Sequence, residues 1–201
     1  MPLLSDRAGK TSRVVVMPSS LEDASKPRPG LYRLGLFLLC AAIFSFFAAL
    51  VIAFYWRART PGYWQPIPLP RMLWVSTNLI LASSLSFEAA RRLWRHGQHR
   101  VASRFLVTTA CLGAAFLASQ LTAWRALMQA GVYMVQNPYS SFFYLFTGLH
   151  ALHLIGGLVA LFFVVLRRSV RREAVDAACF YWHFLGVLWI YLLWLFKFWG
   201  N

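Results

Sequence analysis

The sequence predicts an all-α polytopic membrane protein, a bundle of five transmembrane helices with the N-terminus in the cytoplasm and the C-terminus in the periplasm. Of its 201 residues, 59% are hydrophobic and only 13% are charged, a composition too apolar for an ordinary soluble domain. Long apolar runs alternate with short basic or proline-rich segments, as in successive membrane spans. The Lys and Arg residues concentrate in every second connection, and this bias sets the orientation.

Residues 1–30 are rich in Ser, Pro, Arg and Lys, a composition that cannot bury enough apolar surface to order itself. We therefore expect a basic, disordered cytoplasmic tail, followed by a five-helix transmembrane domain over residues 31–201. The tail contains no short apolar core followed by a cleavage site of small residues, so the first helix is expected to direct membrane insertion.

The first predicted helix covers about residues 31–56, because no charge occurs between Arg33 and Arg57. At 1.5 Å per residue, this uncharged run makes about 35 Å of helix, enough to cross a hydrocarbon core with some tilt. Four prolines then precede Arg71, and they predict a surface loop because proline breaks helices. The second helix is predicted over about residues 72–93.

A basic turn containing Gly97 leads to the third predicted helix, about residues 101–124. The fourth, about residues 139–166, follows Asn137 and Pro138, and a second basic cluster separates it from the fifth, about residues 174–199. Each span must be helical, because lipid offers no hydrogen-bond partners to backbone N–H and C=O groups.

The distribution of the 20 Lys and Arg residues predicts the orientation. The tail and the second and fourth connections together contain 15 of the 20, so this side faces the cytoplasm. In a bacterium this places the chain in the inner membrane. The formal net charge of +14 then reflects topology and anionic headgroups, and no nucleic-acid partner is needed to explain it.

Charged groups at membrane depth are costly, so each calls for a partner. Glu88 precedes Arg91 by three residues and Arg92 by four, the spacing that places an acid beside a base on one helix face. We expect this local pairing. The functional alternative is a proton-accessible carboxylate, which needs further acids deeper in the membrane.

Three histidines lie at similar depth in the fourth and fifth helices. His150 and His153 share a helix face, and His183 lies on the antiparallel neighbour, so the three rings could converge on a metal ion. No carboxylate within these spans orients the rings, as metal-ligating histidines usually require. We expect them instead to be structural, forming hydrogen bonds between helices.

The remaining polar and small residues of the spans have a packing interpretation. Asn78 and Gln120 are expected to form hydrogen bonds between helices, and Gly148, Gly156 and Gly157 to let helices approach closely. The cysteines, which lie one each in three apolar runs without metal-ligand spacing, are expected to be small core residues; these are Cys40, Cys111 and Cys179. Tyr and Trp residues near helix ends predict an interfacial belt; they are Tyr55, Trp56, Tyr63, Trp64, Trp124, Tyr139 and Trp199.

Two strings resemble a known family. FYLFTGLHALHLIGGLVAL (Phe143–Leu161) contains a Thr-Gly-x-His-x-x-His pattern, and YWHFLGVLWIYLLWLFKFWG (Tyr181–Gly200) opens on Tyr-Trp-His-Phe. In this order and at this spacing they resemble subunit III of the haem-copper terminal oxidases, the cytochrome c and quinol oxidases. LGLFLL in the first helix and NLILASS in the second match as well, so the resemblance covers about residues 34–200.

The resemblance implies the five-helix bacterial form of subunit III, a non-catalytic subunit of a respiratory oxidase of the cytochrome c type. Family members contain no catalytic residue, metal or cofactor site of their own; haem and copper belong to partner subunits. The implied partners are the catalytic subunit I, subunit II and membrane phospholipids. The implied role is to stabilise the catalytic subunit and to support its proton uptake.

Three acidic positions of the family pattern differ in this chain, which has Ile43, Ala123 and Gly186 instead. Proton-related roles of those carboxylates cannot be performed by the same groups here. These departures leave open an accessory subunit of a nitric oxide reductase or of a quinol oxidase. A self-contained metal or haem protein ligated by histidines, and a small transporter, are weaker alternatives.

Overall fold

The computed structural model describes residues 29–60, 64–135, 137–166 and 172–199, with side chains from Arg33 onward. All the regular structure in these ranges is α-helical, which confirms the predicted class. The helices are α1 (Pro29–Ala58), α2 (Met72–Arg95), α3 (His99–Gln129), α4 (Pro138–Leu166) and α5 (Arg172–Trp199). The predicted disordered tail lies almost wholly outside the described residues.

Four of the five helices, all except α2, are long and apolar enough to cross a membrane. The exception, α2, contains Ser, Thr, Asn and Glu residues among its apolar ones. Its serines explain how such a helix is accommodated, because Ser76, Ser83 and Ser86 are buried against neighbouring helices. Ser76 shares a 2.7 Å hydrogen bond with Ser119 of α3, and Ser86 donates to the Phe105 carbonyl of α3.

A tight turn joins α2 to α3. Gly97 has a φ of 77°, a left-handed conformation that costs glycine little. The backbone N–H groups of His96 and Gln98 donate to the carbonyls of Arg92 and Leu93, so the end of α2 is capped. The two helices pack against each other more extensively than any other described pair.

The helices α2, α3, α4 and α5 form a ring in which each contacts two neighbours of the ring, and α1 lies outside it. Among the described helices, α1 packs against α4 and α5. Much of its surface is exposed apolar side chain, including Phe37, Phe44 and Ile52. α5 lies against three other helices and presents many buried positions, among them Trp182 and Trp189.

An aromatic cluster fixes α1 to the ring. Its centre is Phe54, which is fully buried, and the rings around it come from α1, the loop before α2, α4 and α5. These neighbours are Tyr55, Trp64, Tyr139, Phe142, Phe146, Phe196 and Trp199. Tyr139 corrects the predicted interfacial belt, because it is fully buried and donates a 2.6 Å hydrogen bond to the Phe196 carbonyl. Tyr139 is buried although it lies near a helix end, because the start of α4 packs beside the last turn of α5.

Close packing occurs at fewer glycines than the sequence predicts. A Cβ built on Gly157 would lie 3.2 Å from the Tyr181 ring, whereas one on Gly148 would make only an ordinary contact and one on Gly156 would meet nothing. The tightest approach is at Gly113 of α3, where a Cβ would lie 2.8 Å from the Trp182 ring. Glycine at positions 113 and 157 therefore makes room for Trp182.

Candidate functional site

The centre of the ring contains a buried histidine. His150 of α4 has no exposed surface and packs against Phe116 of α3 and Trp189 of α5, with ring centroids 5.8 and 5.3 Å away. Trp189 in turn donates its indole N–H to Thr77 Oγ1 of α2, at 3.1 Å. One layer therefore joins all four helices of the ring through His150, Phe116, Trp189 and Thr77.

Neither nitrogen of His150 has a described hydrogen-bond partner, and the same holds for the buried amide of Gln120. The expected interhelical hydrogen bonds of these two residues are therefore not seen. His150 nevertheless lies between helices, because its ring packs against Phe116 of α3 and Trp189 of α5. Asn78 differs from its expected role in another way: it is exposed and donates to the Trp74 carbonyl of its own helix.

The three histidines of the sequence-based metal hypothesis do not converge. His153 Nδ1 lies 2.7 Å from the Leu149 carbonyl of its own helix, and its ring packs against Phe47 of α1. His183 instead lies near Glu88 of α2. The sequence predicted a similar depth for all three rings, but the direction in which each ring points depends on packing.

Three of the hydrogen bonds between helices come from tryptophans, for which the sequence predicted no such bond. Trp182 donates to Ser83 Oγ of α2 at 2.8 Å, and Trp124 of α3 donates to Thr147 Oγ1 of α4 at 3.1 Å. With Trp189 and Thr77, three indole N–H groups thus find hydroxyl acceptors. The available sequence signal was the helical spacing of Trp182 and Trp189, which places both on one face.

A charged cluster lies where α2 ends and α5 begins, and we call this end of the bundle the basic end. Glu88 accepts hydrogen bonds from Arg91, at 2.7 and 2.8 Å, and from Arg92, at 2.9 Å. This is the local pairing that the sequence predicts. Asp176 of α5 pairs with Arg95 of α2 at 2.9 Å, so ion pairs also join the two helices.

Cys179 and His183 of α5 complete this cluster. The Cys179 Sγ and the His183 Nε2 each lie 3.8 Å from Glu88 Oε2. Ligand atoms of the three side chains all fall within 4.8 Å of one another, and no other such group of His, Cys, Asp and Glu side chains is found in the described ranges. Of the cysteines expected in the core, Cys40 and Cys179 are buried, whereas Cys111 is exposed.

The positions where the family pattern has acids are closely packed in this chain. Ile43 and Ala123 belong to the apolar core, with at most 5% of their surface exposed. Gly186 lies against α2, where an added Cβ would come within 3.3 Å of Ser84 Oγ. Ile, Ala and Gly have no ionisable side chain, so none of these three residues can bind or release a proton.

Comparisons with known proteins agree with this arrangement. The family model described as cytochrome c oxidase subunit III matches residues 22–201. A Mycobacterium tuberculosis protein named "Probable cytochrome c oxidase subunit 3" is 32% identical over 176 residues, which cover 82% of this chain and 86% of the relative. A Nocardia farcinica protein of the same name is 31% identical over 173 residues, covering 81% of this chain and 85% of the relative.

A similar protein occurs outside bacteria as well. The mouse (Mus musculus) protein named cytochrome c oxidase subunit 3 is 29% identical over 186 residues, which cover 84% of this chain and 70% of the relative. The matched residues include both histidine-bearing motifs and all five described helices. The chain therefore belongs to the cytochrome c oxidase subunit III family.

Proposed function

We propose that this chain is the non-catalytic subunit III of a respiratory haem-copper oxidase of the cytochrome c type, and that it stabilises the catalytic subunit. The observation that supports this role is the use of buried polar groups. Thr77, Ser83 and Thr147 accept hydrogen bonds from tryptophans of neighbouring helices, so these groups hold helices together. A rigid apolar bundle can support a neighbour, while the redox chemistry takes place elsewhere.

All five helices span the membrane in this proposal, including α2. Its 24 residues give about 36 Å of helix at 1.5 Å per residue, enough to cross the hydrocarbon core. The tight turn at Gly97 makes α2 return along α3, so if α3 crosses, α2 must cross beside it. The basic end then faces the cytoplasm, the C-terminus faces the periplasm, and the host membrane is the bacterial inner membrane.

The proposed partners are subunit I and subunit II, which hold the haem and copper, together with membrane phospholipids. Exposed apolar side chains along α1 suit both a protein and a lipid neighbour. Trp56, for example, has 81% of its surface exposed and Phe44 has 62%. The exposed amide of Asn78 is better suited to a protein surface than to lipid, because polar groups facing hydrocarbon are costly.

Affinity purification from the native membrane tests the proposal. A tag on this chain should isolate, in mild detergent, a complex that contains a large polypeptide and shows a haem a or haem b absorption spectrum. The same spectrum should be absent when an unrelated tagged membrane protein is purified in parallel. Recovery of this chain alone, stable and free of haem-containing partners, would contradict the proposed function.

A quinol oxidase is the second candidate, because the family resemblance covers both oxidase types. Oxygen consumption by the isolated complex separates the two, with reduced cytochrome c as electron donor in one assay and a quinol in the other. We expect turnover with reduced cytochrome c. Turnover with the quinol alone would identify the complex as a quinol oxidase.

A further inference from the structure

We propose that Glu88, Cys179 and His183 form a binding site for one zinc ion at the basic end of the bundle. This site is separate from the role in assembly, and it differs from the histidine site that the sequence suggested. Its ligands come from two helices: Glu88 from α2, and Cys179 and His183 from α5. The thiol, imidazole and carboxylate are the three side-chain types that zinc prefers.

The distances between the ligand atoms fit a tetrahedral ion. Bond lengths of about 2.3 Å to sulfur and 2.0–2.1 Å to nitrogen or oxygen place ligand atoms about 3.4–3.6 Å apart. The Sγ of Cys179 and the Nε2 of His183 each lie 3.8 Å from Glu88 Oε2, and all three ligand atoms lie within 4.8 Å of one another. Side-chain rotations can therefore bring them to the spacing of a zinc site. Cys179 and His183 are four residues apart on α5 and therefore face the same way.

The arginines leave one oxygen of Glu88 available. Oε1 accepts hydrogen bonds from both Arg91 and Arg92, whereas Oε2 accepts one from Arg91 and a 3.8 Å hydrogen bond from the Cys179 thiol, whose proton zinc would displace. Oε2 is therefore the oxygen that faces Cys179 and His183. Arg91 thus holds the Glu88 carboxylate in place through two hydrogen bonds, as partners of metal-binding carboxylates commonly do.

The surrounding charges select the kind of ion. Arg91, Arg92 and Arg95 exceed Asp176 and Glu88 by one positive charge in this cluster, which disfavours an ion held by electrostatic attraction alone. Zinc binding displaces the Cys179 thiol proton to solvent, and the resulting thiolate offsets part of the charge of the ion. A thiolate and an imidazole favour zinc over magnesium or calcium, which prefer oxygen ligands.

Access to this site comes from the proposed cytoplasmic side. The side chain of His183 is 41% exposed and that of Glu88 is 23% exposed, whereas Cys179 is buried beneath them. Three protein ligands leave one tetrahedral position for water, so the ion is expected to exchange with the medium.

Zinc content of the purified oxidase complex tests the site. Complexes with the wild-type chain and with Cys179→Ser, His183→Gln or Cys111→Ser are dialysed against a zinc buffer, freed of loose metal by gel filtration and measured by elemental analysis. We expect wild type and Cys111→Ser to retain about one zinc per complex more than the other two variants, because Cys111 is exposed on α3, outside the cluster. Equal zinc in wild type, Cys179→Ser and His183→Gln would overturn the proposal.

X-ray absorption at the zinc edge provides a readout that does not depend on the variants assembling. The wild-type complex should show a sulfur neighbour at about 2.3 Å from zinc, and this shell should persist in Cys111→Ser. A zinc-loaded wild-type complex with only nitrogen and oxygen neighbours would refute the site, even if Cys179→Ser fails to assemble.

Discussion

Trp182 shows how single residues hold this bundle together. Its indole N–H donates to Ser83 of α2, and its ring lies against Gly113 of α3 and Gly157 of α4. One side chain of α5 therefore contacts the other three helices of the ring. Glycine is needed at the two contact positions because the ring occupies the space of a Cβ.

Substitution of Gly113 by Ala should destabilise the bundle by about 1–3 kcal/mol, because overpacking forces neighbours out of their rotamers. The new Cβ would lie 2.8 Å from a Trp182 ring that its hydrogen bond to Ser83 holds in place. Gly156→Ala is the matched control, since its Cβ would meet nothing. The measurement is SDS-induced unfolding in mixed micelles; an equal effect of the two substitutions would contradict this account.

The sequence predicted Gly157 as a packing position but not Gly113. The fourth helix has several glycines at close spacing, which is a recognised pattern, whereas Gly113 is the single glycine of α3. Its importance depends on a tryptophan that lies 69 positions later, and a sequence pattern within one helix does not contain that information. The same limit explains why the sequence did not predict which side chains surround each histidine.

At the scale of helices, α2 and α5 are joined along their length by side chains of complementary kinds. The hydroxyls of Thr77 and Ser83 accept from Trp189 and Trp182, and Asp176 pairs with Arg95 at the basic end. These contacts explain why a helix as polar as α2 fits among apolar neighbours. Thr77 and Ser83 accept from tryptophans of α5, and Ser76 and Ser86 form hydrogen bonds with α3.

A double-mutant cycle on Thr77→Val and Trp189→Phe should give a coupling energy of about 0.6 kcal/mol, the average for such hydrogen bonds within membranes. The bond is 3.1 Å long and joins α2 to α5. SDS-induced unfolding of the four chains provides the energies. Thr108→Val, whose hydroxyl bonds only to Arg104 of its own helix, should show no coupling to Trp189→Phe. Additive effects in the first cycle would argue against the bond.

Attachment of α1 is predicted to depend on Phe54. Phe54→Ala empties a fully buried position surrounded by aromatic rings, and loss of such a side chain typically costs about 3–5 kcal/mol. Phe44→Ala, at an exposed position of the same helix, should cost much less. Release of α1 is measured by limited proteolysis of the connection between α1 and α2, and cleavage should be faster only for Phe54→Ala. Equal proteolysis rates in the two variants would show that residues other than Phe54 attach α1 to the ring.

Helix existence and approximate bounds could be predicted from the sequence, because charged and proline-rich segments interrupt the apolar runs. Bounds were least accurate for α3, which begins at His99 and continues through Arg125 to Gln129. The predicted helix ended at about residue 124, just before Arg125, but an arginine at a membrane surface need not interrupt a helix, since its long side chain reaches water. Which helices touch each other could not be predicted, because every run is apolar on most of its surface.

At the scale of the whole molecule, charge is concentrated at one end and aromatic packing at the other. The basic end has the ion pairs of Glu88 and Asp176 with arginines, and the Phe54 cluster lies among the opposite helix ends. This polarity agrees with the proposed orientation across the membrane.

Asp176→Asn should change the stability of the whole bundle little, by about 0–1 kcal/mol, because exposed ion pairs contribute weakly. Arg95 keeps half of its side chain exposed, at 51%, so its charge remains hydrated without a partner. The effect should shrink further as salt is raised, since screening weakens surface pairs. Thermal release of this chain from the purified complex measures the change in stability. A loss much greater than 1 kcal/mol that persists in high salt would indicate that the Asp176–Arg95 pair stabilises the bundle strongly.

The position of α5 in the bundle has a consequence for biogenesis. α5 packs against α1, α2 and α4 and touches α3 through Trp182 and Trp189, yet it follows all of them in the chain. In the proposed topology, four helices therefore leave the translocon before α5, which contacts each of them, arrives. During this interval Thr77 and Ser83 lack their indole donors, and α2, the most polar helix, has only α3 as a companion. Ribosomal pausing or misinsertion at α5 would therefore expose the earlier helices to membrane quality control.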